Sequence, residues 1–214
     1  MDEEIPIINR STREERIKNF FIKNKNKIIT IVSVLILILF SLFFYKEYND
    51  KNREVLANKY NLAIAEYNKG DKSKVTLSMQ EIIADKDGTY SPLALYFLID
   101  NKILTSKDEI NKYFNQIINE VKLDIEIKNL VIYKKALFNS DFETENNLLK
   151  ILDPVIKSDS VWKSHSLYLL AEYYLNNNQK QKAKEFYQQI LNLKSANRDI
   201  VIEAKKRLQS EYSE

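Results

Sequence analysis

IITIVSVLILILFSLFFY, residues 28–45, is a run of eighteen residues without a charge, and its only polar side chains are Thr30, Ser33, Ser41 and Tyr45. An apolar helix of about twenty residues crosses the hydrocarbon core of a bilayer, so the run predicts a transmembrane helix over 28–45. A cleaved signal peptide would have a shorter apolar region and then a small-residue site. The exit here is instead Phe43-Phe44-Tyr45-Lys46-Glu47-Tyr48. A buried core helix would carry a polar stripe every three to four positions, and none is present.

The flanks orient this span. Arg10, Arg13, Arg16, Lys18, Lys23, Lys25 and Lys27 precede it, against Lys46, Lys51, Arg53 and Lys59 after it. That bias predicts residues 1–27 as a cytoplasmic tail and residues 46–214 as a domain on the far side, periplasmic in a bacterium with its inner membrane. Within the tail, Arg16-Ile17-Lys18-Asn19-Phe20-Phe21 suits either a short amphipathic helix at the membrane surface or an ordinary anchor flank.

Composition bounds the domain that follows. About 170 residues remain after the span, enough for one real core. The chain holds 33 basic and 30 acidic residues for a net charge of +3, which gives no basic field for nucleic acid. Two glycines and three prolines in 214 residues argue for helices joined by short connections. The absence of cysteine excludes disulfides, thiolate metal sites, cysteine nucleophiles and lipidation through cysteine.

Beyond the span, apolar residues recur three and four apart, the helical period. A first helix over about 48–69 carries Val55, Leu56, Tyr60, Ala63, Ile64 and Tyr67, and Gly70-Asp71 ends it. The second carries Val75, Met79, Ile82 and Ile83, and Ala84-Asp85-Lys86-Asp87-Gly88 forms a turn. Ser91-Pro92 reads as an N-cap with proline at the first helical position, opening a third helix through Leu93–Ile99. Ser106 with Glu109 forms a capping box before Ile110, Phe114, Ile117 and Ile118. Further helices follow over Ile125 to Phe138 and around Leu148, Leu149 and Ile151, where Asp153-Pro154 predicts a kink. Val161 to Leu175, Gln181 to Leu193 and a capping helix over about Asp199 to Glu211 complete the chain. The fold class is all-α.

The helices pair. Leu167, Leu170, Ala171 and Tyr174, then Ala183, Tyr187 and Ile190, resemble the tetratricopeptide pattern of small and aromatic positions on two antiparallel helices. The second-helix anchors Val75, Ile110, Thr144 and Ala183 are separated by 35, 34 and 39 residues, close to a repeat of about 34. An α-solenoid of helix pairs is therefore expected, with a C-terminal cap. The first helix of each pair would line a concave face suited to a helix or an extended peptide. Tyr60, Ile64, Tyr67, Leu95, Ile99, Tyr133, His165, Tyr168 and Glu172 would point into that groove or fill the core between helices.

The order of parts resembles the ancillary SecYEG translocon subunit family (YfgM-like), which has a short tail, a single span and a periplasmic tetratricopeptide-like domain. The residues carrying the resemblance are Glu15-Arg16-Ile17-Lys18-Asn19-Phe20-Phe21, Tyr60 with Asn68-Lys69-Gly70-Asp71, and Ser160-Val161-Trp162 through Leu191. The family's tail usually has tryptophan where Phe20 and Phe21 stand, and its span often contains glycine. The resemblance implies an inner-membrane accessory protein that associates with the Sec translocon and periplasmic folding factors.

No catalytic, cofactor or metal site is expected. His165 is the single histidine, and Ser164 and Ser166 beside it lie outside any nucleophile-elbow motif. One histidine without cysteine falls short of a zinc site. Asp85-Lys86-Asp87-Gly88 lacks the third ligand and closing glutamate of a calcium loop. Neither glycine sits in a phosphate loop, and most of the thirteen tyrosines stand at core spacing, away from nucleic-acid stacking. The sequence thus points to a non-enzymatic scaffold that binds proteins, without nucleic acid or small-molecule substrate. A repeat adaptor for cell-envelope or division assembly is the alternative. A regulatory or sensor domain of an enzyme system is disfavoured by the lack of a site and a second domain.

Overall fold

A computed structural model describes residues 4–212, with side chains for 14–48 and 50–212. The side chains of Arg10 and Arg13, and residues 1–3 of the expected tail, lie outside the described residues. Among the described residues the chain is helical, without a strand. The helices are α1 (Glu4–Lys23), α2 (Lys25–Asn68), α3 (Lys72–Ala84), α4 (Tyr90–Asp100), α5 (Lys107–Glu120), α6 (Ile125–Asn139), α7 (Glu145–Ile156), α8 (Lys163–Asn176), α9 (Lys180–Asn192) and α10 (Arg198–Tyr212). The chain divides into two units, Met1–Val55 and Leu56–Glu214.

In the first unit, the tail carries a 20-residue helix, α1, which includes Arg16 to Phe21, where a short amphipathic helix was one of two readings. The apolar side chains from Ile29 to Phe44 are exposed, with no protein surface to bury them among the described residues. Thr30 satisfies its hydroxyl on its own helix, donating to the Asn26 carbonyl at 2.9 Å. α2 is long and apolar enough to cross a membrane. It also runs on to Asn68, so the helix expected over about 48–69 is a continuation of α2. No glycine or proline occurs between Lys25 and Lys69, so nothing interrupts the hydrogen-bond ladder. Gly70, at φ +92°, stops it, and Asp71 caps α3 by accepting from the Lys74 N–H at 3.0 Å.

In the second unit each helix packs on the next, α3 on α4 through α9 on α10, and two further contacts join α6 to α8 and α8 to α10. Two apolar clusters result. The first joins Leu56 and Ala63 to Val75, Met79 and Ile82, Leu95 and Leu98, and Ile110 and Phe114. The second joins Ala136 to Leu148 and Leu152, Leu170, Ala171 and Tyr174, Ala183 and Tyr187, and Ala204 of α10. α6 serves both, through Val131 and Ala136. Ala171 and Ala183 are fully buried, as their role at a close helix approach demands.

Several local expectations change. α4 begins at Tyr90, so Ser91 is not its cap; Asp87 instead accepts from the Thr89 and Tyr90 N–H groups, both at 2.8 Å. Ser91 is buried and donates to the carbonyls of Ile82 (3.0 Å) and Ile83 (3.3 Å), at the end of α3 where helical donors run out. Ser106 caps α5 as expected, but the Glu109 carboxylate accepts from Gln80 at 3.0 Å and Tyr113 at 3.3 Å instead of closing the box. Thr144, expected as a packed anchor, is the exposed N-cap of α7, accepting from Asn147 N–H at 3.4 Å; Leu148 is the buried residue there. α7 continues through Pro154 to Ile156.

Phe114 is fully buried where α4, α5 and α6 meet. Phe114→Ala is expected to lower the stability of the second unit by about 3–5 kcal/mol, read as a fall in melting temperature of the full chain in detergent.

Candidate functional site

The nine groove positions separate into sets. Tyr60, Ile64, Tyr67 and Ile99 are half-buried against the first cluster, and Leu95 is fully buried in it. Tyr60 packs its ring on Tyr90 (5.9 Å) and Phe97 (6.3 Å), and Tyr67 meets Phe97 edge-on at 5.3 Å. These rings weld α2 to α4. Leu95 has no surface to offer a partner. Ile99 borders a cleft of about 180 Å³ with Tyr96, Phe114, Lys134, Leu137 and Phe138.

The second set stands where α6 meets α8. Tyr133 stacks on Trp162 (5.8 Å, 19° between planes), and His165 closes the trio at 5.9 Å from Tyr133 and 5.1 Å from Trp162. Glu126, in the first turn of α6, sets this geometry. Its carboxylate accepts from the Ser160 hydroxyl at 2.7 Å and the Val161 N–H at 3.2 Å, and Ser160 in turn accepts from the Trp162 N–H at 3.1 Å. Sequence reasoning missed both Trp162 and Glu126 as site residues. The signal available was that Ser160 follows Glu126 by 34 residues, about one repeat.

The third set is a clasp. Glu172 accepts from the Tyr187 hydroxyl at 2.6 Å and from Arg207 at 2.9 Å, tying α8 to α9 and α10. Tyr168 lies against the Tyr187 ring at 5.8 Å. Both carboxylate oxygens of Glu172 are therefore committed inside the protein. Sequence reasoning missed Arg207, because its partner lies 35 residues away.

Burial sets the electrostatics of these groups. Burial raises the phenol pKa of Tyr133 and Tyr168, and burial with Glu172 beside it raises that of Tyr187, so all three stay protonated donors. Burial pushes the His165 imidazole below its ordinary pKa, partly offset by the Val161 backbone, and Nδ1 lacks a well-formed hydrogen bond. Among the described residues no three His, Asp or Glu side chains converge as a metal site. No protein-family model, curated protein or solved structure matches this chain.

His165 binds its proton less tightly folded than unfolded. Below its ordinary pKa of 6.5 the unfolded chain therefore takes up more protons, and stability falls as pH drops from 7 through the folded value. His165→Phe should flatten the melting temperature between pH 7 and 5, a window above the range where Glu66 and Glu145, both lowered from 4.5, titrate. Glu172→Ala leaves the Tyr187 hydroxyl unpaired and should cost about 1–3 kcal/mol, with faster amide exchange along α10.

Proposed function

We propose that this chain is a membrane-anchored, non-enzymatic scaffold whose second unit is a tetratricopeptide-like solenoid that binds proteins on the face of its even-numbered helices. The observation that carries the reading is the pattern of packing. Contacts beyond the immediate neighbour join α6 to α8 and α8 to α10, which supports a layer of first helices beside a layer of second helices. Two hydrogen bonds also link positions about one unit of sequence apart: 34 residues for Glu126 of α6 with Ser160, just before α8, and 35 for Glu172 of α8 with Arg207 of α10. The Tyr133–Trp162–His165 trio lies at the junction of two such first helices, where a partner's apolar side chains would dock.

α2 supplies the anchor, with the basic tail inside and the second unit in the periplasm. The partner we propose is the Sec translocon, which the scaffold links to periplasmic folding factors. Tethering would raise the effective concentration of the binding face near emerging chains.

Photo-crosslinkers at Leu35, Tyr133 and Tyr168 in intact membranes test this. Translocon adducts are expected from Leu35, with folding-factor or nascent-chain adducts from the tyrosines. Adducts confined to envelope or division proteins would replace the translocon with the adaptor reading. Protease reaching the second unit from the cytoplasmic side would overturn the orientation.

A further inference from the structure

The turns that lead into α4, α6, α8 and α10 are tied to one another along one edge of the second unit. A Cβ on Gly88, before α4, would meet the carbonyl oxygen of Lys122, before α6, at 3.0 Å. Glu126 of α6 holds the Ser160 hydroxyl and the Val161 N–H, before α8. Ser164 of α8 accepts from the Asn197 N–H, before α10, at 3.2 Å. The chain enters the unit at this same edge. Lys59 pairs with Glu81, near the end of α3, at 2.8 Å, and the Tyr60 ring lies 5.9 Å from that of Tyr90, the first residue of α4.

Aliphatic side chains outside both apolar clusters recur along it. Leu93, Ile127 and Val161 follow one another by 34 residues each and are 39, 41 and 59% exposed, and Ile125 is 65% exposed. Leu93 and Ile127 stand in the first turns of α4 and α6, where Cα–Cβ bonds tilt toward the helix N-terminus and so toward the edge. Val161 stands in the turn itself. Packed helices lie about 8–10 Å apart, and the ties hold these helix starts side by side. The four side chains therefore form a row, unlike exposed apolar residues scattered singly.

The length of the tether says what covers this row. Ten residues, 46–55, separate the apolar run of α2 from Leu56. Even fully extended they reach no more than ~36 Å, so the edge at which the chain enters stays close to the bilayer that holds the run. Tethered in this way, a weak apolar contact suffices. Charges on the edge are of both signs and paired, Lys86 with Glu120 and Lys157 with Asp153, each at 2.8 Å, which gives no basic field for anionic headgroups. Aliphatic side chains without such a field match the upper acyl-chain region of a bilayer. We propose that Leu93, Ile125, Ile127 and Val161 insert into the membrane that anchors the chain and dock the second unit on its lipid surface. This rests on α2 as a span and goes beyond the protein-binding reading, which leaves these residues unassigned.

The chain has no cysteine, so each single-cysteine variant takes one fluorophore. Leu93→Cys, Ile127→Cys and Val161→Cys are labelled in the full-length protein, in phosphatidylcholine nanodiscs with and without a nitroxide at acyl carbon five. Leu35→Cys reports the span, and Asp141→Cys and Asn177→Cys report the opposite edge, in the turns after α6 and α8. Acyl-chain quenching at the row is expected to be at least about threefold that at the opposite edge, and unchanged by added phosphatidylglycerol. Leu93→Gln with Val161→Gln should bring the label on Ile127→Cys down to the opposite-edge level, with melting temperature as fold control. Quenching at Leu35→Cys but none at the row above the opposite edge overturns the docking and leaves the span. Absence of quenching at Leu35→Cys removes the span and the docking together. Row quenching that appears only when two copies share a nanodisc overturns the proposal and assigns the row to a dimer.

Discussion

No helix of the second unit buries its apolar stripe alone; each depends on the next helix in the chain. α5 shows this plainly. Ile110, Phe114 and Ile117 form one stripe, covered by α4 on one side and α6 on the other. The same holds for Ala183, Tyr187 and Ile190 of α9, between α8 and α10. In α10 Ala204 alone is fully buried, while Ile200, Val201 and Leu208 pack half-buried on the second cluster.

Apolar stripes set which faces meet, but they leave the stagger between helices loose. Carboxylates tighten it. Glu126 holds the start of α8 from the first turn of α6. Glu145, at the start of α7, accepts from Tyr174 at 3.1 Å and from Lys182 at 2.8 Å, reaching α8 and α9. Glu172 does the same for α9 and α10. Ion pairs this exposed contribute little each. The hydrogen bonds to buried hydroxyls contribute more, because an unpaired Tyr187 or Tyr174 oxygen would be stranded in the second cluster. Both carboxylate oxygens of Glu172 are engaged in this way at the junction of α8 with α9 and α10.

The all-helical class was legible in the sequence. Helix existence followed from period 3.6 in the apolar residues, and the two glycines and the Asn176-Asn177-Asn178 turn punctuated it; Asn178 takes the left-handed conformation at φ 59°. The errors lay at ends and anchors. Ser91 resembles a cap by type and by its proline neighbour, but a hydroxyl also satisfies carbonyls of another helix, and that alternative won. Thr144 sits at repeat spacing, yet threonine at a helix start bonds the backbone more readily than it packs.

The apolar run over 28–45 and the all-helical class were determined by the sequence itself, because each is a pattern along the chain that local physics reads directly. Which of the nine residues expected in a groove keep a free surface was decided only by the tertiary structure. Tyr60, Leu95, Tyr133 and Glu172 all sit at inward helical positions, yet one is a wall, one is core, one is a stacked face and one is a clasp. Their roles depend on residues 15 to 35 positions away, such as Tyr187 and Arg207 for Glu172, and the distance between packed helices is not written in the spacing of either.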